Sequence, residues 1–182
     1  AAMAYFRKNA SEWNEIRSLH VPEKDVESLL LDVLARYQAD HQVKLREFLD
    51  IGTGTGRMLE LFGPEVSYAV GIDNSREMLA YARTMIEDKG FKNCQVRLGD
   101  MYTLPVPSAS QDLVMVHQVM HYADRPKVVL EEARRVLRPD GLLIVVDFAP
   151  HDLSNLKEEH AHQQMGFDLQ QMSDWCHEIQ FK

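Results

Sequence analysis

The chain has 182 residues, of which 45% are hydrophobic and 26% charged. This suits one compact domain and excludes a disordered, collagen-like or mucin-like chain. Twenty basic against 28 acidic residues leave a net charge of −8, which makes the protein a poor partner for nucleic-acid backbones. No apolar run approaches the ~18 residues of a membrane span, and Cys94 and Cys176 are too few for a disulfide framework or a four-thiolate zinc site, so a reducing, cytoplasmic setting away from membranes is expected.

In chain order, residues 3–20 read as a polar-rich helix carrying Tyr5, Phe6, Trp13 and Ile16. The opening AAMAYFRKNASEW lacks the apolar region of a signal peptide and does not begin with Met, so a fragment of a longer protein is expected. Pro22 ends that helix and opens a second, whose Val26, Leu29, Leu30, Val33, Leu34 and Tyr37 form a helical stripe read as core. From residue 45, short apolar runs alternate with amphipathic stretches. The expected elements are a strand at 47–51, helix at 57–62, strand at 68–72, helix at 76–89, strands at 95–98 and 113–117, helix at 127–137 and strand at 142–148. Such alternation implies right-handed crossovers and a parallel sheet in an α/β fold. Pro139-Asp140-Gly141 is a turn before the last strand, and helices are expected at 153–164 and 169–176.

Two features point to a ligand. Asp50-Ile51-Gly52-Thr53-Gly54-Thr55-Gly56 joins a strand to a helix, and glycines there permit tight turning and close backbone approach. A dinucleotide fingerprint would need its third glycine at position 57, which is arginine. The first three strands each end near a carboxylate, at Asp50, Asp73 and Asp100, where open α/β sheets bind ligands. Three acids disfavour a pyrophosphate and suit a cation rich in hydrogen-bond donors, the character of S-adenosylmethionine. Each feature also has a plainer account: a strand-to-helix turn for the glycines, a helix N-terminal charge for Asp50, loop-start surface acids for Asp73 and Asp100.

The runs FLDIGTGTG, VGIDNSREML, LGDMYTLP, DLVMVHQVMHY and RRVLRPDGLLIVVDF together resemble a class I S-adenosylmethionine-dependent methyltransferase over roughly residues 45–150. The resemblance implies a Rossmann-like three-layer sandwich around a mainly parallel sheet. Five strands are visible here, without the C-terminal hairpin such proteins usually add. It implies that Gly52, Thr53, Gly54 and Gly56 pass under the methionine end of the cofactor and that Asp50 helps hold its amino group. Asp73 would take the ribose hydroxyls, Asp100 the adenine amine, with Met101 and Met78 near the ring. Asn74 stands where relatives often carry an apolar residue against adenine. His117 would line the sulfonium end. The implied divisions are a helical lid at 1–44, a core at 45–150 and C-terminal helices at 151–182.

More narrowly, YFRKNASEWNEIRSLHVPE and HQVMHYADRP resemble the methyltransferase-like half of fusions with an ArsR-type winged-helix domain. This implies that Tyr5 and Arg17, on the lid, reach the cofactor carboxylate. It keeps open a second function, the sensing of S-adenosylmethionine or S-adenosylhomocysteine for a transcriptional regulator. The first function is methyl transfer to a small-molecule acceptor.

His117 and His121 lie four apart and would share a helix face, as a general-base pair or as half a metal site. Two histidines alone do not make a zinc site, so no metal is expected. Otherwise His117 lines the pocket and His121 packs. His151, His160, His162 and His177 are read as solvated, and Cys94 as inert at a strand start. Arginine at position 57 disfavours a nicotinamide oxidoreductase, the net charge a nucleic-acid methyltransferase, and the two scattered cysteines arsenic methylation. An open sheet edge would invite a second copy, so a homodimer is an expectation.

Overall fold

The computed structural model describes residues 4, 9, 10, 23–151 and 162–181. Helix α1 (Glu23–His41) leads into strand β1 (Glu47–Ile51), helix α2 (Arg57–Phe62) and strand β2 (Tyr68–Asp73). Helix α3 (Arg76–Asp88), strand β3 (Cys94–Leu98), strand β4 (Gln111–His117), helix α4 (Pro126–Val136), strand β5 (Leu137–Val146) and helix α5 (Leu169–Glu178) follow. The strands form one sheet in the order β3-β2-β1-β4-β5, with every neighbouring pair parallel. This is the expected Rossmann-like α/β architecture.

Both faces of the sheet are apolar, as a parallel sheet covered on both sides requires. Period-two alternation divides the strands. Leu49, Ile51, Val70, Ile72, Val114 and Val116 pack with Val129, Leu130 and Ala133 of α4. Phe48, Ala69, Leu113 and Met115 face the other way, against Leu30 and Leu34 of α1 and Met58, Leu59 and Phe62 around α2. The N-terminal stripe is therefore core, as its spacing indicates, except that Leu29 is 59% exposed on the outer side of α1. Within the segment 1–44 assigned above to a lid, Leu30 and Leu34 of α1 belong to this core, and residues 1–3, 5–8 and 11–22 lie outside the described residues.

The turn at 139–141 lies inside β5. Gln111 pairs with Leu137 and Leu113 with Leu142, so residues 138–141 bulge out of the ladder, with Asp140 left-handed at φ +61°. Asp112 staples this end of the sheet. Its Oδ2 accepts the Arg46 and Glu47 N–H groups, both at 2.9 Å, and its Oδ1 accepts Arg138 Nη1 at 2.6 Å. Burial works against its ionisation, but the Arg138 guanidinium and the two backbone N–H groups outweigh it and hold the carboxyl below its ordinary range. A depressed folded-state pKa contributes stability above the unfolded value that is lost as pH falls through the folded one. Asp112→Ala should cost about 2–3 kcal/mol at neutral pH and shrink towards nothing in acid. Urea unfolding of both proteins at several pH values checks this, and a penalty that does not change with pH would contradict it.

Of the C-terminal helices, 169–178 is observed, whereas residues 152–161 of the earlier one lie outside the described residues and Gln163 to Met165 bend. Among the described residues no helix is long and apolar enough to cross a membrane.

Candidate functional site

A cavity of about 300 Å³ opens over the carboxyl ends of β2, β1 and β4. Its floor is the glycine loop. Gly52, Gly54 and Gly56 take φ values of +71°, +54° and +90°, in the left-handed region that favours glycine. At Gly52 a Cβ would also meet Val119 Cγ2 at 2.4 Å, so backbone and the loop after β4 are in direct contact there. The Gly52 and Thr53 N–H groups both donate to the Ile72 carbonyl, at 2.8 and 2.9 Å, which ties the loop to β2.

Asp50 is buried at the end of β1 and contributes to the cavity wall. Asp73, the last residue of β2, accepts the Gly54 N–H at 2.9 Å through Oδ2 and the Ser75 N–H at 2.8 Å through Oδ1. Burial pushes its carboxyl pKa up, against the pull of the Ser75, Gly54 and Asn74 N–H groups. Ser75 caps α3 by accepting the Met78 N–H, which places Met78 against the cavity beside Asn74. On the β3 side the wall is Gly99, Met101 and Tyr102. The Tyr102 hydroxyl accepts the Asp124 N–H at 2.8 Å and so joins the β3–β4 loop to the start of α4.

Asp50, Gly52, Thr53, Gly54, Asp73, Asn74, Met78, Met101 and His117 thus converge on one cavity. Three other residues named from the sequence do not line it. Gly56 packs under the loop, where a Cβ would meet Met85 Cε at 2.6 Å and Ala82 Cβ at 3.2 Å of α3. Asp100 is exposed, and its Oδ1 accepts the Tyr102 N–H at 2.8 Å, leaving its neighbours Gly99 and Met101 in the wall. His121 is 2% exposed and sits behind the wall. Tyr5 and Arg17 lie outside the described residues.

The two histidines do not share a helix. His117 ends β4, and His121 lies in a 3-10 turn at Met120–Tyr122. His121 Nδ1 bonds Asp147 Oδ1 at 2.8 Å, and its ring lies 4.1 Å from that of His162 and 5.0 Å from Phe148. His162, read above as solvated, is 3% exposed because this ring stack encloses it. Among the described residues no group of three or more histidines, cysteines or acids could hold a metal ion. Burial pushes the Cys94 thiol up at the start of β3.

Sequence reading missed several wall residues. Arg57 lines the cavity, yet its Nε and Nη2 grip both oxygens of Glu27 on α1 at 2.7 Å, and its Nη1 meets Glu60 at 2.6 Å. Gln118, Tyr122, Asp124 and Gln163 were missed too. Gln118 is left-handed, at φ +54°, an outlier of the kind that collects at functional sites. Gln163 arrives from beyond β5, its N–H donating to the His121 carbonyl at 2.7 Å. A glutamine in a loop carries no spacing signal, so nothing in the sequence pointed to either.

The family described as "Methyltransferase domain" matches residues 43–181. The chain is 33% identical over 119 residues to an uncharacterized methyltransferase, YcgJ, of Bacillus subtilis, covering 65% of this chain and 45% of that protein. The crystal structure of the YcgJ protein superposes with a TM-score of 0.70 at 26% identity, over 76% of this chain and 63% of the other. A S-adenosylmethionine-dependent methyltransferase from Aquifex aeolicus matches the fold with a TM-score of 0.67 at 21% identity, over 83% of this chain and 78% of that one. The chain thus spans about half the length of the curated relative.

Proposed function

The chain belongs to the methyltransferase domain family, and on that premise we propose that it is an S-adenosylmethionine-dependent methyltransferase acting on a small-molecule acceptor. The observation that carries this reading is the pairing of Asp73, at the end of β2, with the left-handed backbone at Gly52 and Gly54 in a single cavity. A half-buried carboxylate is suited to a vicinal diol, and a side-chain-free backbone lets a ligand lie against the strand ends. The donor set fits the cofactor: acids for its cationic and hydroxyl-bearing parts, and Met78 and Met101 for an apolar ring.

When bound, S-adenosylmethionine would supply an activated methyl group with a neutral leaving group. The residues then have mainly to orient. Asp73 would hold the ribose and Asp50 the ammonium end, while Gly52 and Gly54, in the same cavity, would allow close approach along the strand ends. Holding an acceptor in line contributes about 7–11 kcal/mol at best, so little acid–base help is needed. His117, in the wall at the end of β4, takes the proton that a hydroxyl or amine acceptor loses.

Isothermal titration with S-adenosylmethionine and S-adenosylhomocysteine tests this. Both should bind in the micromolar range. Binding of neither would end the reading.

A further inference from the structure

Two buried ionisable side chains take no part in the transfer described above. His121 lies in the turn after β4 and Asp147 follows β5, and their side chains are 2% and 5% exposed. Asp147 accepts three N–H groups. Its Oδ1 takes His121 Nδ1 and the Phe148 backbone, both at 2.8 Å, and its Oδ2 takes the His121 backbone at 3.3 Å. A carboxylate only accepts, so Nδ1 of His121 carries a proton.

His121 also holds a third segment. Its carbonyl accepts the Gln163 N–H at 2.7 Å and the Gln164 N–H at 3.0 Å, and its ring lies 4.1 Å from that of His162. The Gln164 carboxamide donates to the Ala123 carbonyl at 3.1 Å. This segment is tied in turn to the residues after β5. The His151 N–H donates to the Met165 carbonyl at 3.0 Å, and the Phe167 N–H to the Phe148 carbonyl at 2.8 Å. Gly166, at φ +87°, lies so close that a Cβ there would collide with the Ala149 carbonyl. One histidine thus joins three segments, and Tyr122 and Gln163, beside its ties, line the cavity.

Fold stability does not account for this pair. A buried carboxylate and imidazole add little over well-packed apolar side chains of similar volume, because desolvation offsets their attraction. What the pair fixes is geometry. Gln163 belongs to neither a helix nor a strand, so its place in the wall depends on these ties. A displacement of about 1 Å, originating far from the reacting atoms, can lower a rate by about 100-fold.

We propose that His121 and Asp147 are positioning residues for methyl transfer, which hold Gln163, with Tyr122 beside it, against the amino-acid end of the cofactor. This rests on the methyl-transfer reading. The strand order gives the orientation. With the ribose on Asp73 of β2, the β3 side is left to the adenine, and the β1–β4 side to the amino-acid end. Gln163 arrives from beyond β5, next to β4.

The test compares S-adenosylhomocysteine with adenosine, which lacks the amino-acid end. In proton–nitrogen NMR spectra of wild type, both ligands should shift the Gly54 amide. Only S-adenosylhomocysteine should shift the Gln163 amide and the His121 ring N–H. His121→Phe keeps a ring and removes the donor to Asp147. It should weaken S-adenosylhomocysteine by about tenfold or more and adenosine by less than about twofold. His121→Asn places a carboxamide N–H where Nδ1 stands, and should return S-adenosylhomocysteine to within about threefold of wild type. A merely destabilised protein would lose both ligands alike, because only its competent fraction falls. The proposal is overturned if S-adenosylhomocysteine leaves the Gln163 amide and the His121 ring unmoved in wild type, which needs no variant to fold. It is also overturned if His121→Phe weakens both ligands equally or neither, or if His121→Asn binds no better than His121→Phe. Any of these in a protein whose wild type binds S-adenosylhomocysteine refutes the positioning role alone. A wild type that binds neither ligand refutes the methyl-transfer reading, and this proposal with it.

Discussion

Asp73→Ala is expected to weaken S-adenosylhomocysteine binding by about 100- to 10,000-fold. Hydrogen bonds to a charged group are worth about 1.5–3 kcal/mol each, and a ribose presents two hydroxyls to one carboxylate. The same carboxylate also holds the Gly54 and Ser75 N–H groups, so the variant loosens the floor of the cavity as well as losing ligand bonds. Asp73→Asn separates the two effects. It retains one acceptor oxygen and the shape of the side chain, and should fall between wild type and alanine in affinity. Calorimetric titration of all three proteins, with melting curves alongside, measures both. Undiminished affinity in the alanine variant would refute the assignment of Asp73 to the ribose. The pH dependence has a definite sign. Burial raises the Asp73 pKa, so protonation competes with the diol at higher pH than for an exposed aspartate. Affinity should therefore fall on acidification earlier than an ordinary carboxylate would allow, and that fall should vanish in Asp73→Asn.

Gly52→Ala is expected to abolish binding and to destabilise the fold. A Cβ there would sit 2.4 Å from Val119 Cγ2 and 2.8 Å from Cγ1, on a backbone at φ +71°. The left-handed conformation costs about 1–2 kcal/mol in a residue with a Cβ, and overpacking adds about 1–3 kcal/mol. Adding Val119→Ala removes both γ-carbons but not the backbone strain, so the double variant should recover part of the lost stability. Urea unfolding of the single and double variants, with S-adenosylhomocysteine titration of each, reads this. Additive losses would show that the two residues do not press on one another.

The legible parts of this protein were those with a period or a fixed chemical grammar. Phe48 to Ile51 and Leu113 to Val116 alternate between two cores, and the alternation is visible as short apolar runs. The glycine loop and Asp73 could be read because a tight strand-to-helix turn and a strand-end acid are local. What stayed hidden depends on segments distant in sequence. His162 is buried because Phe148 and His121 stack on it from elsewhere. Asp100 is the local exception, its Oδ1 accepting the Tyr102 N–H two residues on, although strand-end placement suggested that it faces the ligand. Gln163 reaches the cavity because its backbone is pinned to His121, and Arg57 is engaged because α1 brings Glu27 alongside. None of these leaves a mark in residue spacing.

The strand order also bears on how the protein reaches its native state. Phe48 of β1 pairs with Ala69 of β2 nearby, but on its other side it pairs with Leu113 of β4, across two intervening strands. The cavity straddles that junction, with Asp50, Gly52 and Asp73 on one flank and His117, Gln118 and Val119 on the other. Pairings of high sequence separation are slow to form, because the loop-closure entropy must be met before the contact gains anything. The binding cavity is thus completed only when the two halves of the chain have docked. A ligand spanning both flanks would favour the fully assembled chain over partly folded forms, by an amount that grows with the logarithm of its concentration.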